Sequence, residues 1–133
     1  MTEVVRGEFV CVVCPNGCAV EAEFVKGGPE GPPRLLSAEG YRCPRGERWI
    51  RQEIEEPMRT VSTSVLVGGG DYVCASVRTK NPIPLDKIPE AMDAVRGVVL
   101  EAPVHIGDIA VSRPAGTDTD FIVTRNVERV SSV

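Results

Sequence analysis

The chain is short of aromatic rings, histidine and positive charge. Aromatics make up 5% of its 133 residues, with one Trp and one His. So few rings leave little for base stacking. There are 15 basic against 19 acidic residues, a net charge of −4. Residues 1–57 hold 7 basic and 10 acidic groups, so no basic face builds up there. Nucleic acid is therefore not an expected partner. No apolar run approaches the roughly 20 residues of a membrane span, so membrane insertion is not expected. GxGxxG after a strand, a phosphate-binding loop and a nucleophile with a plausible base are all missing. No catalytic residue is assigned. No signal-peptide pattern opens the chain, so the expected compartment is the cytoplasm, where cysteines stay reduced.

What the chain does have is cysteine, five in all. Four fall early. The run reads Cys11-Val-Val-Cys14-Pro-Asn-Gly-Cys18, and Cys43 follows in Tyr41-Arg-Cys43-Pro-Arg-Gly46. Iron–sulfur clusters are held by four thiolates, and closely spaced cysteines let one loop wrap one side of such a body. Asn16-Gly17 supplies the turn, with Gly17 free to take positive φ. The N–H groups of Asn16, Gly17 and Cys18 are candidate donors to cluster sulfurs. Zinc also takes four thiolates. Structural zinc sites usually read as two CxxC pairs, whereas here three ligands sit in one run. The expected cofactor is a 4Fe-4S cluster on Cys11, Cys14, Cys18 and Cys43, with zinc as the alternative.

This pattern resembles the small N-terminal 4Fe-4S domain of molybdopterin oxidoreductases over roughly residues 8–50. In that family a lysine typically stands two residues after the last cysteine and bridges cluster and pterin. Arg45 stands there in this chain, and nothing downstream is long enough to build pterin-binding domains. The resemblance makes Arg45 a candidate cluster-proximal residue. A second resemblance spans nearly the whole chain. Thr60-Val-Ser-Thr-Ser, Lys80-Asn-Pro-Ile-Pro-Leu-Asp-Lys-Ile and Ala102-Pro-Val-His-Ile-Gly-Asp are similar to a family of short prokaryotic proteins of unknown function. Members are labelled molybdopterin-oxidoreductase-like. Their genes often neighbour flavoproteins similar to glycerol-3-phosphate dehydrogenase or to pyridine-nucleotide-dependent oxidoreductases. The resemblance implies an electron-transfer subunit working with an FAD-dependent dehydrogenase. The alternative is a zinc-stabilised structural or adaptor subunit of the same complex. A cluster- or cofactor-handling protein is a third class.

The expected fold class is α+β in two modules. Residues 1–57 form a β-rich four-cysteine module, with strands over 8–13 and 19–25 joined by the cysteine turn and a third over 34–37. Pro44 suits a helix first turn, so a helix should start beside the cysteines and end by Pro57. Its positive dipole end would face an anionic site. Trp49 is the expected core anchor. Arg42, Arg45, Arg48 and Arg51 recur every three residues, as a collar, a docking patch or a solvated face. A module this small is expected to need a metal staple.

Residues 58–133 form an α+β module with an antiparallel sheet and one main helix. Strands are expected over 60–67, 72–79, 98–101, 109–112 and 121–124. Asp86 is the expected N-cap of a helix whose Ile88, Ala91, Met92 and Val95 make one apolar stripe, stopped by Gly97. Residues 125–133 read as a flexible tail. Cys74 is expected to be a small core hydrophobe. His105 reads as a surface or loop histidine. Asp108, Asp118 and Asp120 read as turn residues rather than a hard-cation site.

Overall fold

Alternation of apolar and charged residues in Ala19–Val25 builds a half-buried strand, and its neighbours follow its register. The computed structural model describes residues 3–130, and the chain divides into two units, Met1–Met58 and Arg59–Val133. In the first, β1 (Val4–Val10), β2 (Ala19–Val25) and β3 (Arg34–Glu39) form one antiparallel sheet in the order β1-β2-β3. β1 begins earlier than the expected Glu8 and ends before the first cysteine. The reason is register: Val4 pairs with Val25 and Val10 with Ala19, so β2 templates seven residues. The cysteine run is left as a loop, closed by a 2.9 Å bond from the Cys11 N–H to the Cys18 carbonyl. Gly17 turns that loop with φ +59°.

The helix α1 (Pro44–Glu55) starts where the proline predicts. Cys43 is its N-cap, in extended conformation. Gly46, Ile50 and Ile54, four residues apart, form its buried face. The Leu35 N–H donates to Glu55 Oε1 at 3.3 Å, tying the last turn of α1 to the start of β3. Six buried residues form the contiguous core of this unit, Cys11, Val20, Ala22, Leu35, Ile50 and Ile54, and Val25 is buried apart from them. Ile50, not Trp49, sits at the core's centre, fully buried. Trp49 is half-buried and packs against that core. Arg51 pairs with Glu55 across one helical turn at 3.4 Å, which fits the solvated-face reading of that arginine.

The second unit is also α+β. β4 (Met58–Arg59) lies at the boundary, followed by β5 (Ser62–Gly68), β6 (Cys74–Thr79) and β7 (Ile83–Pro84). Next come α2 (Ile88–Val95), β8 (Val99–Glu101), β9 (Ile109–Val111) and β10 (Phe121–Val123). Five of these strands make one sheet in the order β8-β5-β6-β10-β9. The pairs are antiparallel except β5–β8, which run parallel. A parallel neighbour needs a crossover, and the segment carrying α2 supplies it.

Asp86 is not the cap of α2. A single turn of 3₁₀ helix over Leu85–Lys87 intervenes, and Lys87 holds the N-cap position without a side-chain bond. The apolar stripe itself packs inward: Ala91 and Val95 are buried, with Ile88 and Met92 against the same core. Thirteen buried residues form that core, around Phe121, Ile83 and Val77. Buried Thr79 is satisfied by the Val61 N–H, which donates to its Oγ1 at 3.0 Å. No helix of the described residues is long and apolar enough to cross a membrane.

Residues 125–130 are not a loose tail, while 131–133 lie outside the described residues. Val127 is fully buried, and its backbone pairs with Val104 in both directions at 2.9 and 3.0 Å. Arg125 stacks over Tyr72, 3.6 Å from the ring centroid. Two valines three apart, Val127 and Val130, are too few to give a periodic signal in a polar segment, which is why sequence reading leaves Val127 outside the core. Val127→Ala should lower the stability of this unit by about 2 kcal/mol, from two lost methylene equivalents. Denaturant unfolding of the variant against the parent measures this, and an unchanged midpoint would show that the segment is dispensable.

Candidate metal centre

The sheet of the first unit has one end where β1 leaves, β2 begins and β3 leaves. Each of the four early cysteines belongs to that end. Cys11 follows β1 directly, Cys14 stands in the loop, and Cys18 precedes β2. Cys43 is reached from β3 through Gly40–Arg42 and caps α1. Two glycines set the closeness of these segments. A Cβ on Gly40 would lie 2.2 Å from the Ala19 carbonyl oxygen, so this linker rests against backbone beside Cys18. A Cβ on Gly46 would lie 3.1 Å from Tyr41 Cβ and 3.7 Å from Cys11 Sγ. The first turn of α1 thus stands directly over the Cys11 sulfur.

Cys11 is buried, while Cys14, Cys18 and Cys43 are half-buried; all are free thiols. Among the described residues, no three His, Cys, Asp or Glu side chains are gathered closely enough to hold a metal ion. What is built is the backbone arrangement, with four sulfur positions on one end of one sheet. As donors they suit a cluster or zinc, both of which take four thiolates.

Cys43 is the electrostatically distinct member. The Gly46 N–H lowers its thiol below the ordinary value, against some desolvation; the Arg45 N–H and guanidinium lower it further. These N–H groups face the sulfur as dipoles, without a side-chain capping bond of ordinary geometry. The cause is the helix start, where the first N–H groups lack intrahelical partners and favour negative charge. Arg45, singled out from the sequence, therefore faces Cys43.

The other single residues noted in the sequence belong to the second unit. Cys74 is not a core residue. It opens β6 on the outward face and is exposed, because the alternation along β6 turns Ala75, Val77 and Thr79 inward instead. Its register partner Leu66 is exposed on the same face. His105 lies in an exposed turn, where its N–H donates to Asp108 Oδ2 at 2.8 Å. Asp120 Oδ1 likewise accepts the Arg113 N–H at 3.0 Å. These aspartates close loops, as their sequence context predicts. Gly40 and Gly46 are the site residues that sequence reading leaves without a role. Only what packs against them reveals them.

A family of proteins of unknown function matches residues 44–125, more than half of the chain. The chain belongs to DUF1667. The DUF1667 match begins at Pro44, directly after the fourth cysteine, and runs from α1 through β10. The cysteine loop and its sheet lie outside that span, so the metal-site reading rests on the residues and their placement. No curated protein and no solved structure matches the chain.

Proposed function

We propose that Cys11, Cys14, Cys18 and Cys43 hold one 4Fe-4S cluster. The protein then serves as an electron-transfer subunit of an FAD-dependent dehydrogenase. The observation that carries this is the meeting of both cysteine segments at one sheet end, beneath the N-terminus of α1. Such a cluster supplies one-electron transfer, with a potential set by burial, hydrogen bonds and net charge. The chain's own residues hold the four thiolates. The Gly46 and Arg45 N–H groups favour charge on Cys43, and Arg45 adds a fixed positive charge beside it. Gly17 leaves the loop open on one side, with no atom closer than 3.9 Å to a would-be Cβ other than its chain neighbours. The surface at Gly17 and at Arg45 is the proposed exit for electrons.

The FAD-dependent partner, glycerol-3-phosphate-dehydrogenase-like or pyridine-nucleotide-dependent, follows from the family resemblance. The lack of a catalytic constellation in the sequence supports a subunit over an enzyme. A second reading has its own support. A core of six buried residues is too small to hold a unit of this size without a cross-link. Zinc on the same four sulfurs would supply that staple in a structural or adaptor subunit.

The test is electron transfer. The protein is isolated anaerobically from its native host together with whatever it binds. A flavin-containing partner should co-purify, and reducing that partner with its substrate should bleach the cluster's visible absorbance. An intact cluster that exchanges no electrons with the partner in either direction would contradict the redox role and leave the structural one.

A further inference from the structure

β1 is the open edge of the three-stranded sheet, and none of its seven residues is buried. The Cys11 N–H to Cys18 carbonyl bond fixes which backbone groups face outward. In this antiparallel ladder Cys11–Cys18 is a hydrogen-bonded pair, so Phe9, Gly7 and Val5 also point their N–H and C=O toward β2. Val4, Arg6, Glu8 and Val10 therefore point theirs at the free edge. The side chains of these four residues share the exposed face as well. Among the described residues no strand pairs with these outward backbone groups, and an edge of this length is a template for another strand.

The residues on that edge say which strand. Val4-Val-Arg-Gly-Glu-Phe-Val10 is complementary to itself when reversed about Gly7. Antiparallel pairing about Gly7 sets Arg6 opposite Glu8, Val4 opposite Val10 and Val5 opposite Phe9, each twice. Only registers that pair even residues with even residues match the outward backbone groups. Moving the centre to Arg6 sets two arginines face to face, and moving it to Glu8 sets two glutamates face to face. The Gly7 register alone pairs all seven residues and joins opposite charges.

The face next to this edge lacks a cation in the matching place. Glu8, Glu21 and Glu39 stand directly opposite one another across the three strands. Like charges in such positions repel. Arg6 lies one pair away, where it contacts Glu23 at 2.5 Å. Val4 and Val10 are 54% and 58% exposed. A reversed second copy answers each feature. Its Arg6 extends the glutamate row beside Glu8, and its Val10 and Val4 cover the two valines.

We infer that β1 is a homodimer interface, pairing antiparallel with β1 of a second copy about Gly7. The two sheets become one continuous sheet across a two-fold axis. The two cysteine loops, each at the C-terminal end of its β1, lie at opposite ends of the new strand pair. An edge this short buries less than a standard interface, so monomer and dimer interchange with concentration.

The test is a charge swap read by sedimentation equilibrium on the full chain, purified anaerobically. The parent should associate to two chains as concentration rises. Arg6→Glu alone or Glu8→Arg alone creates two repulsive pairs and should weaken association about a hundredfold. The double variant Arg6→Glu/Glu8→Arg should restore it. Hydrogen exchange on the unaltered protein checks the same claim without a variant. Amides of Val4, Arg6, Glu8 and Val10 should exchange more slowly as concentration rises. A parent that stays monomeric at the highest attainable concentration would overturn the inference. So would a dimer indifferent to both single reversals, or outward β1 amides that exchange freely within a dimer.

Discussion

Cys43→Ser should abolish stable metal binding and unfold the first unit, while Cys74→Ser changes neither. The argument starts from the size of the core. Six buried residues, one of them Cys11, hold β2 and β3 to one helix. A single small core of this kind rarely supplies more than about 3–5 kcal/mol. A structural metal on four thiolates adds on the order of 10 kcal/mol of apparent binding energy to folding. Cys43 is the one proposed ligand reached from β3 rather than from the loop between β1 and β2, so its loss would open the cross-link between the cysteine loop and α1. Serine is itself a preferred N-cap, so the substitution leaves the helix start intact and isolates the lost ligand. Cys11→Ser would be less informative, because that side chain is buried and a hydroxyl there adds its own penalty. Cys74 is exposed on the outward face of β6, where replacement should stay within about 0.5 kcal/mol. Metal content and circular dichroism of both variants measure the outcome. Equal metal loss in the two would show that the fourth ligand is misassigned.

Gly40→Ala should be nearly as damaging, without touching a sulfur. Gly40 has φ +100°, a conformation that L side chains rarely adopt. Its would-be Cβ falls 2.2 Å from the Ala19 carbonyl oxygen. The Cβ position is fixed by the Gly40 backbone and the atom it meets is backbone, so no side-chain rotation relieves the clash. The linker must lift away from the start of β2 and carry Cys43 with it. The expected loss is on the order of 4 kcal/mol, the range of severe backbone strain and lost packing together. Gly28→Ala is the control, since a Cβ there meets nothing within 4 Å and φ is not in the left-handed region. Anaerobic thermal unfolding with iron determination should show a large drop for Gly40→Ala and almost none for Gly28→Ala. Matching midpoints would mean that the linker does not rest on β2 as described.

The α+β class and most element positions follow from local signals. β2 falls on Ala19–Val25 as its alternation predicts, and α1 starts at Pro44. The stripe on α2 packs inward. Where the sequence misleads, the deciding partner lies far along the chain. β1 starts at Val4 because Val25 pairs with it. Cys74 faces outward because the parity of β6 is set by Ala75 and Val77 against the core. Val127 is buried through its pairing with Val104. The parallel pairing of β8 with β5 depends on tertiary placement and leaves no local mark. The candidate site divides the same way. Four cysteines and Arg45 are visible as spacing and charge. Gly40 and Gly46 become meaningful only once the Ala19 backbone and the Cys11 sulfur are seen against them. The self-complementary order of β1 is present in the sequence, but its meaning depends on knowing that β1 is an edge.

The most direct test of the proposed cluster is composition. The full chain is expressed and purified without oxygen, then analysed for iron, acid-labile sulfide and zinc. Electron paramagnetic resonance is recorded after dithionite reduction. The account predicts about four irons and four sulfides per chain and a signal from a reduced 4Fe-4S cluster. One zinc per chain, with neither iron nor sulfide, would contradict it.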